Sequence, residues 1–362
     1  MTEWKEYKLG DVATFAYGKL PKKELLGKGN YITFSGYKYV DSYPEYNCEK
    51  GDVILVARGV GGTGDVKLTM QRCFLTNLSI KIVLDNSIVL NDYFYNMFRQ
   101  ENLRYLDSGS AQSQITIQDL ANVIIEVPSV NVQRKVSTIL SSFDDKIDLL
   151  HRENATLEQM AETMFRQWFV VEAKEEWEEK PLSSIATFLN GLACQKYPPK
   201  NEIDKLPVLK IRELSSGIGN DSDWATTDVG KEYIVRAGDV IFAWSASLMV
   251  KIWDGEDCIL NQHLFKVTSD KYPKWFYYFW CKHHLDEFIS IAQSHATTMG
   301  HIKRNDLDTT MVLVPSDDEL KTMSEKMDNV LQKIETNNKQ IRTLIQTRDG
   351  LLPRLMSNEI NL

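Results

Sequence analysis

One long internal duplication constrains the fold of this chain more than any other feature. Trp4 and several residues after it recur from Trp177 onward at a constant offset of 173 residues. Farther along, the Gly-Asp-Val-Ile segment at 51–54 recurs at 238–241, so the second copy has an insertion before this turn. A period of about 180 residues is far longer than a solenoid or propeller unit. The sequence therefore predicts a duplicated pair of domains.

Each copy has two parts of different character. The first part mixes short β-type runs, such as residues 52–56, with glycine turns and one aromatic helix-like stretch, which is typical of an α+β domain. The second part begins after Pro128 and Pro315, which suit a break between a strand and a following helix. We therefore predict α+β domains at 1–128 and 173–315, and helical spacers at 129–172 and 316–362.

The spacers carry a coiled-coil pattern, in which apolar residues alternate steps of four and three. Every such position in the second spacer lies 187 residues after its counterpart in the first. Two matched stripes related by a two-fold axis run antiparallel. We therefore predict an antiparallel coiled coil, while burial of each helix inside its own domain is the alternative. Its seam includes Phe143, Ile147, Asn154, Leu157, Trp168, Val330, Ile334, Asn337, Leu344 and Leu355.

Each stripe contains one asparagine, at Asn154 and at Asn337. An asparagine in a coiled-coil seam costs stability, and it can fix the register of the helices. It can equally be a tolerated hydrated position. The sequence leaves these two interpretations open.

Motifs of common catalytic and metal sites are absent or incomplete. Residues 59–64 spell G-x-G-x-x-G, but β-type residues follow them, and no G-K-[ST] completes a phosphate-binding loop. We interpret this segment as a flexible hairpin or contact loop. Cys281 and His284 are one helical turn apart, but two ligands do not make a closed zinc site. We expect no catalysis, no metal and no cofactor.

Composition narrows the class of protein further. Lys and Arg number 42 against 50 Asp and Glu, so the net charge is −8, which argues against coating nucleic acid by bulk charge. The 5 cysteines form no C-x-x-C pair. No apolar run approaches the roughly 18 residues of a membrane helix. We expect a protein of the reducing cytoplasm with no membrane partner.

This organisation resembles the DNA-specificity (S) subunit of type I restriction-modification systems over almost the whole chain. The most similar segments are Phe165-Arg166-Gln167-Trp168-Phe169, Leu351-Leu352-Pro353-Arg354-Leu355-Met356-Ser357, the Gly-Asp-Val-Ile turns, Trp244-Ser245-Ala246-Ser247 and Leu260-Asn261-Gln262-His263. The resemblance implies two target-recognition domains that each read half of a split sequence in the major groove of double-stranded DNA. It implies that the helices act as a ruler and as a docking surface for two methyltransferase (modification) subunits. Two motor-nuclease (restriction) subunits would join the full assembly, although the sequence leaves open whether a nuclease partner exists.

Neither predicted domain is globally basic, so DNA contacts must be local. Lysines can neutralise phosphates, whereas Arg and Gln can form paired hydrogen bonds with base edges. Gln114 of the first copy aligns with His301 of the second at the 187-residue offset. The candidate DNA contacts are Lys19, Lys22, Tyr37, Lys38, Arg58, Thr63, Ser110, Gln112, Gln114, Lys196, Tyr197, Trp244, Ser245, His295, Thr297, Thr298, His301 and Lys303.

Aromatic clusters at 93–98 and 275–280 could stack on unpaired bases or fill a core. Because they occupy equivalent places in both copies, we favour core packing. An alternative for the whole chain is a coiled-coil structural adaptor whose end domains bind protein or carbohydrate. The duplicated pattern alone fits both functions.

Overall fold

The chain divides into two compact units. The structure, a computed structural model, describes residues 4–36, 38–59, 62–107, 114–294, 300–357 and 359. Residues 1–147 and 343–362 form the first unit, and residues 148–342 form the second. Each unit contains one α+β domain, here called the first domain (5–127) and the second domain (178–314), and parts of two long helices. The predicted class, α+β with two long helices, is confirmed, whereas the four segment boundaries stay a prediction.

The first domain is built on two main sheets. Its elements are β1 (Lys5–Lys8), α1 (Leu9–Val12), β2 (Ala13–Tyr17), β3 (Tyr31–Ser35), β4 (Lys38–Tyr43), β5 (Val53–Val56), β6 (Val66–Leu68), β7 (Cys73–Leu75), β8 (Ser79–Leu84), α2 (Asn91–Met97), α3 (Ile117–Ala121) and β9 (Ile124–Val127). The strands β2-β8-β5-β6 form an antiparallel sheet, and β4-β3-β7 form a second sheet in which β3 and β7 run parallel. β1 pairs with β9, which ties the start of the domain to its end.

The second domain repeats this plan after the long helix α4 (Val130–Arg166). Its elements are β10 (Glu178–Pro181), α5 (Leu182–Ile185), β11 (Thr187–Asn190), β12 (Lys205–Leu209), α6 (Ile211–Ser216), β13 (Trp224–Thr226), β14 (Ile234–Val235), β15 (Val240–Ala243), β16 (Met249–Ile252), β17 (Cys258–Leu260), β18 (Leu264–Thr268), α7 (Lys274–His283), α8 (Leu285–Ser294), α9 (Arg304–Thr309) and β19 (Met311–Val314), and α10 (Asp317–Met356) follows. Its sheets are β11-β18-β15-β16, β13-β12-β17-β14 and β10-β19. Helix α6 lies between β12 and β13, where the first domain has a tight hairpin between β3 and β4. This confirms the predicted insertion before the second Gly-Asp turn.

A repeated glycine marks a place where two backbones nearly touch. A Cβ added to Gly18 would lie 2.2 Å from the carbonyl oxygen of Thr76, and one added to Gly191 would lie 2.2 Å from that of Asn261. Any larger residue would therefore push the strands apart in either domain. Close approach, rather than backbone flexibility, explains why the sequence repeats glycine at this point.

The repeated Gly-Asp turn is held in the same way in both domains. Its glycine has φ of 84° in the first domain and 96° in the second, a conformation that favours glycine. Asp52 forms an ion pair with Lys81, and Asp239 forms one with Lys266 at 2.8 Å. Each aspartate thus fastens the start of a fully buried central strand, β5 or β15, to the neighbouring strand.

The aromatic segments belong to the core. Tyr93 and Phe94 of α2 have 0% of their surface exposed, and no residue of 275–280 in α7 exceeds 7%. Because buried rings cannot stack on bases, the interpretation as core is confirmed for these residues, whereas Tyr95 and Phe98 are half-buried. Among the described residues, no helix combines the length and apolar composition that a membrane-spanning segment needs.

The two long helices begin two residues after Pro128 and Pro315. Ser316 caps α10, where its hydroxyl accepts a hydrogen bond from the backbone N–H of Glu319 and that carboxylate accepts one from the N–H of Ser316. Every residue of the predicted stripes is buried or half-buried. The ten singled out from the sequence are among them: Phe143, Ile147, Asn154, Leu157, Trp168, Val330, Ile334, Asn337, Leu344 and Leu355.

Within each unit the helix segments pair antiparallel. In the first unit, Asp144 of α4 forms an ion pair with Arg348 of α10 at 2.7 Å, and Val136 shares a core with Leu355. In the second unit, the seam asparagines bond to each other, as the side-chain amide of Asn337 donates to Asn154 Oδ1 at 2.9 Å. Asn154 in turn donates to Asn338 Oδ1 at 2.7 Å. Some stripe residues also belong to the apolar core of a domain, as Val136 and Leu140 do in the first unit and Ala161 and Met327 do in the second.

Candidate nucleic-acid interface

A short backbone bridge in the first domain brings Arg58 and Gln114 together. Both residues form an isolated antiparallel bridge just beyond the end of β5. The N–H of Arg58 donates to the carbonyl of Leu78 at 3.0 Å, and the N–H of Ile115 donates to that of Ala57 at 3.0 Å. Two residues that the sequence suggested for base contacts, 56 positions apart, are thereby neighbours.

The second domain has the same bridge with different side chains. Ser245 pairs with His301, each 187 residues after its counterpart. The N–H of Ile302 donates to the carbonyl of Trp244 at 3.1 Å, and the N–H of Trp244 donates to that of His263 at 3.3 Å. The backbone frame is therefore shared, whereas the residues that it presents are not.

The residue after the bridge turns the chain sharply in both domains. Gly59 has φ of 137°, and Ala246 has φ of 57° at the equivalent position. Alanine rarely adopts a positive φ. The N–H of Ala246 donates to the carbonyl of Gly300 at 2.9 Å, which helps to hold this conformation. Strain of this kind often occurs where a loop must present a neighbouring side chain in one orientation.

In the second domain, rings and polar groups converge beside the bridge. Trp244 stacks on Phe265 with centroids 5.6 Å apart, and its ring lies 6.0 Å from His263 and 6.3 Å from His301. His263 Nδ1 shares a hydrogen bond with the hydroxyl of Ser245 at 3.1 Å. Its Nε2 lies 3.2 Å from the side-chain nitrogen of Gln262. His263 is exposed and Trp244 is half-buried.

His263 and Gln262 were missed as individual contact candidates. They lie in the segment 260–263, and the resemblance of this segment to the family is the sequence signal that could have indicated them. Their approach to Trp244 depends on the pairing of β15 with β18, which brings Ala243 opposite Leu264. This pairing joins two strands that are distant in the chain, so no local sequence pattern predicts it.

In the first domain, Arg58 is half-buried, and its Nε has no hydrogen-bond partner among the described residues. Gln114 is also half-buried, and its backbone N–H donates to Asp107 Oδ1 at 3.1 Å. The turn between β3 and β4 lies close by, because a Cβ added to Gly36 would be 3.9 Å from the carbonyl oxygen of Arg58. Lys38, at the start of β4, is exposed on this hairpin.

The remaining basic candidates are exposed on other segments. Lys19 and Lys22 follow β2, where the N–H of Lys22 donates to the hydroxyl of Tyr43 at 3.1 Å. In the second domain, Lys196 ends a short 3-10 turn, and the adjacent Tyr197 is 37% exposed. Lys303 caps α9 two residues beyond His301. All these positions leave their side chains accessible to a ligand.

Two candidate hydroxyls are turned inward. Thr63 is 2% exposed, and its hydroxyl donates to the carbonyl of Gly59 at 2.9 Å. It therefore stabilises the backbone at Gly59, and we remove it from the candidates for direct contact with DNA. Ser245 is 6% exposed and is engaged by His263. We therefore assign it a supporting position. Six further candidates lie outside the described residues: Tyr37, Ser110, Gln112, His295, Thr297 and Thr298.

The glycine-rich segment at 59–64 leads from β5 into β6, not into a helix. A Cβ on Gly64 would lie 2.4 Å from the backbone nitrogen of Arg104, so this glycine allows close packing. The N–H of Leu103 donates to the carbonyl of Gly64 at 2.8 Å. Gly64 thus has a structural role in the first domain, and the described element that follows it is a strand rather than the helix N-terminus that a dinucleotide site uses.

Comparison with known proteins agrees with this architecture. The specificity subunit of the type I restriction enzyme MjaIX from Methanocaldococcus jannaschii is 24% identical over 99% of this chain and 94% of that protein. The specificity subunit of the type I restriction enzyme HindI from Haemophilus influenzae is 21% identical over 99% of this chain and 100% of that protein. A crystal structure of a type I restriction-modification S subunit from M. genitalium shares the fold, with a TM-score of 0.63 and 16% identity over 98% of this chain and 96% of that one.

The family model for the type I restriction modification DNA specificity domain matches twice, at residues 1–159 and 174–346. The two matches account for most of the chain and coincide with its internal duplication. The chain therefore belongs to the family of type I restriction-modification DNA specificity subunits, which are non-catalytic, and it carries the family's domain twice.

Proposed function

We propose that this chain selects a two-part DNA sequence for a type I restriction-modification complex, with each domain reading one half in the major groove of double-stranded DNA. The observation that carries the proposal is the matched pair of bridges, Arg58–Gln114 and Ser245–His301. A shared backbone frame with different side chains at one place is what two readers of different half-sites need.

In the first domain, Arg58 and Gln114 supply the base contacts. A guanidinium can donate two hydrogen bonds to guanine, and a carboxamide can pair with adenine. Lys19, Lys22 and Lys38 neutralise phosphates around them, which sets the position of the domain on the duplex but carries no sequence information. Arg58 is half-buried rather than part of the core, which leaves part of its side chain accessible to DNA.

In the second domain, Trp244, His263 and His301 contact the bases, with Gln262 beside them. An aromatic face suits the methyl group of thymine, and imidazole or amide groups can bond to base edges. Lys196, Tyr197 and Lys303 contact the backbone. The candidates at 37, 110, 112, 295, 297 and 298 stay in the proposed interface on the resemblance of their segments.

The long helices serve as the ruler between the two half-sites in this proposal. Antiparallel contacts occur in the first unit at Asp144 and Arg348, and in the second at Asn154 and Asn337. A paired helix is stiff over a longer distance than a loop. We propose target-recognition domains at 1–128 and 173–315, and helical spacers at 129–172 and 316–362.

The proposed partners are two methyltransferase subunits and, in a full restriction complex, two motor-nuclease subunits. The duplication supports a pair of equivalent docking sites. Some large apolar side chains of α4 and the turn after it are solvent-exposed, as Leu149 and Met160 are at 48% and 49%. Such residues are candidates for a covered surface. A cytoplasmic location, which the sequence led us to expect, agrees with action on cellular DNA.

Exchange of one domain tests the two-reader proposal. Residues 177–315 are replaced by the corresponding segment of another family member, and the chimera is co-expressed with its methyltransferase. Sequencing of methylated sites should show one altered half-site and one unchanged half-site. A change in both halves would contradict independent readers.

A structural adaptor that does not bind DNA is the competing function. An electrophoretic shift on random duplex at low salt, with and without the methyltransferase, separates the two. Binding that weakens steeply with added salt is expected of a DNA reader, because cations are released when lysines meet phosphates. Complete absence of a shift in both preparations would favour the adaptor.

A further inference from the structure

Two cysteines of the first domain lie directly opposite each other. Cys48 and Cys73 form an isolated antiparallel bridge, and the N–H of each donates to the carbonyl of the other at 3.1 Å. In such a hydrogen-bonded pair the Cα atoms are about 5.5 Å apart. A disulfide has its commonest Cα separation at about 5.5 to 6 Å. The Cα separation of this backbone pair therefore lies within the range that a disulfide spans.

The two thiols lie on the same side of this pair, because directly opposed residues of neighbouring strands point their side chains to the same face. They lie in an apolar cluster with Phe34, Ile54 and Leu75, and at most 1% of either cysteine is exposed. The adjacent Asn47 fixes the loop before Cys48 to β7 through two hydrogen bonds with Leu75. The side-chain amide of Asn47 donates to the carbonyl of Leu75 at 3.0 Å, and its Oδ1 accepts a hydrogen bond from the N–H of Leu75 at 2.6 Å. This clamp holds the thiols in register.

The thiols differ in acidity. The neighbouring Cys48 thiol lowers the pKa of Cys73, and the neighbouring Cys73 thiol raises the pKa of Cys48. Burial instead raises the pKa of Cys194, Cys258 and Cys281. Among all five cysteines, Cys73 is thus the one whose surroundings favour the nucleophilic thiolate.

We propose that Cys48 and Cys73 are an oxidation site that closes to an intramolecular disulfide on reaction with a low-molecular-weight disulfide. The Cys73 thiolate attacks one sulfur of the oxidant and releases the first small thiol. The Cys48 thiolate then attacks the Cys73 sulfur of the mixed disulfide and releases the second. Two electrons pass from the cysteines to the oxidant, and the two cysteine protons end on the released thiols. Local opening of the cluster admits the oxidant.

The disulfide would close a loop that contains β5, Arg58 and the glycine-rich segment 59–64. Such a crosslink restricts the unfolded chain and stabilises the folded domain when it fits the native geometry. We expect the oxidised first domain to keep its fold and to unfold at a higher temperature. This chemistry is independent of what the domain binds.

The test uses the full-length chain treated with glutathione disulfide or with dithiothreitol. Free thiols are then blocked with N-ethylmaleimide, and the chain is digested with trypsin for mass spectrometry. Trypsin cleaves at Lys50, Arg58, Lys67 and Arg72, which separates the two cysteines. A linked pair of peptides is expected only after oxidation. The apparent melting temperature should rise by roughly 3 to 10 °C and return to its original value after reduction.

Single substitutions give matched controls. Cys48→Ser and Cys73→Ser should each abolish the linked peptide, whereas Cys194→Ser, at another buried cysteine, should retain it. Oxidised wild type in which both thiols still react with maleimide after unfolding, or in which Cys73 stops at a glutathione adduct, would overturn the proposal. This result does not depend on whether any variant folds. A linked chain that melts at the same or a lower temperature would overturn the stabilising role.

Discussion

At the scale of single residues, the two domains use one backbone position for different chemistry. Arg58 offers a guanidinium with a partnerless Nε, whereas Ser245 is buried and supports His263. In the proposed interface, the equivalent position therefore contacts DNA directly in one domain and acts through a neighbour in the other. Single substitutions should separate these two arrangements.

We predict that Arg58→Ala reduces specific DNA binding by about 1 to 3 kcal/mol and relaxes only the first half-site. The reason is loss of a base contact rather than of folding, because Arg58 lies outside the apolar cores. The measurement is a binding titration on cognate and half-site-mutated duplexes, with thermal unfolding as a check on the fold. Arg72→Ala provides the control, since Arg72 is an exposed arginine of the same domain that pairs with Glu49.

His263→Ala should produce the reciprocal result and relax only the second half-site. The imidazole joins Ser245 and Gln262 and lies beside Trp244, so its loss removes one polar group and frees its neighbours. Sequencing of methylated sites in the presence of the methyltransferase distinguishes the halves. Unchanged specificity in both halves would remove His263 from the interface.

At the scale of secondary-structure elements, the helix pair contains a buried hydrogen bond between two asparagines. We predict that Asn154→Ala lowers the free energy of unfolding by about 1 to 3 kcal/mol, because it leaves the amide of Asn337 buried without its partner. Asn337 is 0% exposed, so water cannot easily replace that contact. Urea unfolding followed by circular dichroism measures the loss.

Thr156→Ala is the matched control for this helix. Thr156 is exposed, and its hydroxyl donates a hydrogen bond to the carbonyl of Arg152 in the same helix. Its change in stability should stay within about 0.5 kcal/mol. If Asn154→Ala is equally mild, the asparagines occupy a hydrated position and do not form a register-fixing pair.

The stability of the start of α10 should depend on pH through the carboxylate of Glu319. Lys174 is the largest of the contacts that lower the pKa of Glu319 to about 2, and Ser316 and Trp177 add hydrogen bonds. Because this pKa lies below that of an unfolded glutamate, about 4.3, the charge stabilises the fold above that value. The stabilisation should be lost as pH falls from about 5 toward 2.

Glu319→Gln tests this dependence while keeping a side chain that can complete the cap. We expect about 0.3 to 1 kcal/mol less stability at neutral pH and a flatter stability profile between about pH 5 and 2. Chemical unfolding at several pH values gives the profile. Glu325→Gln, at an exposed position of the same helix, should leave the profile unchanged.

At the scale of the whole molecule, the sequence predicted the features that leave a local or periodic pattern. The offset of Trp4 and Trp177 indicated the duplication, and the steps of four and three indicated the helix seam. The bond between Asn154 and Asn337 was not readable, because it joins residues 183 positions apart. The inward direction of Thr63 and the approach of His263 to Trp244 likewise depend on tertiary packing, which composition and spacing do not encode.

If the helices act as a ruler, their length should set both the distance between the two half-sites and the rotation of one half-site relative to the other on the DNA. Seven residues are inserted in both helices, between Ile147 and Leu157 and between Ile334 and Leu344, so that both stripes stay aligned. The insertion adds about 10 Å, or about three base pairs, at about 1.5 Å per helical residue and 3.4 Å per base pair.

The double-insertion chain should recognise a site with a longer nonspecific spacer. DNA turns once in about 10 to 10.5 base pairs, so binding should fail where the added length leaves a reader on the wrong face. Inserting seven residues in only one helix is the control and should disrupt the paired seam, because the stripes no longer match. Sequencing of methylated sites measures the spacer. If the double-insertion chain keeps the original spacer, the helices do not set the distance between half-sites.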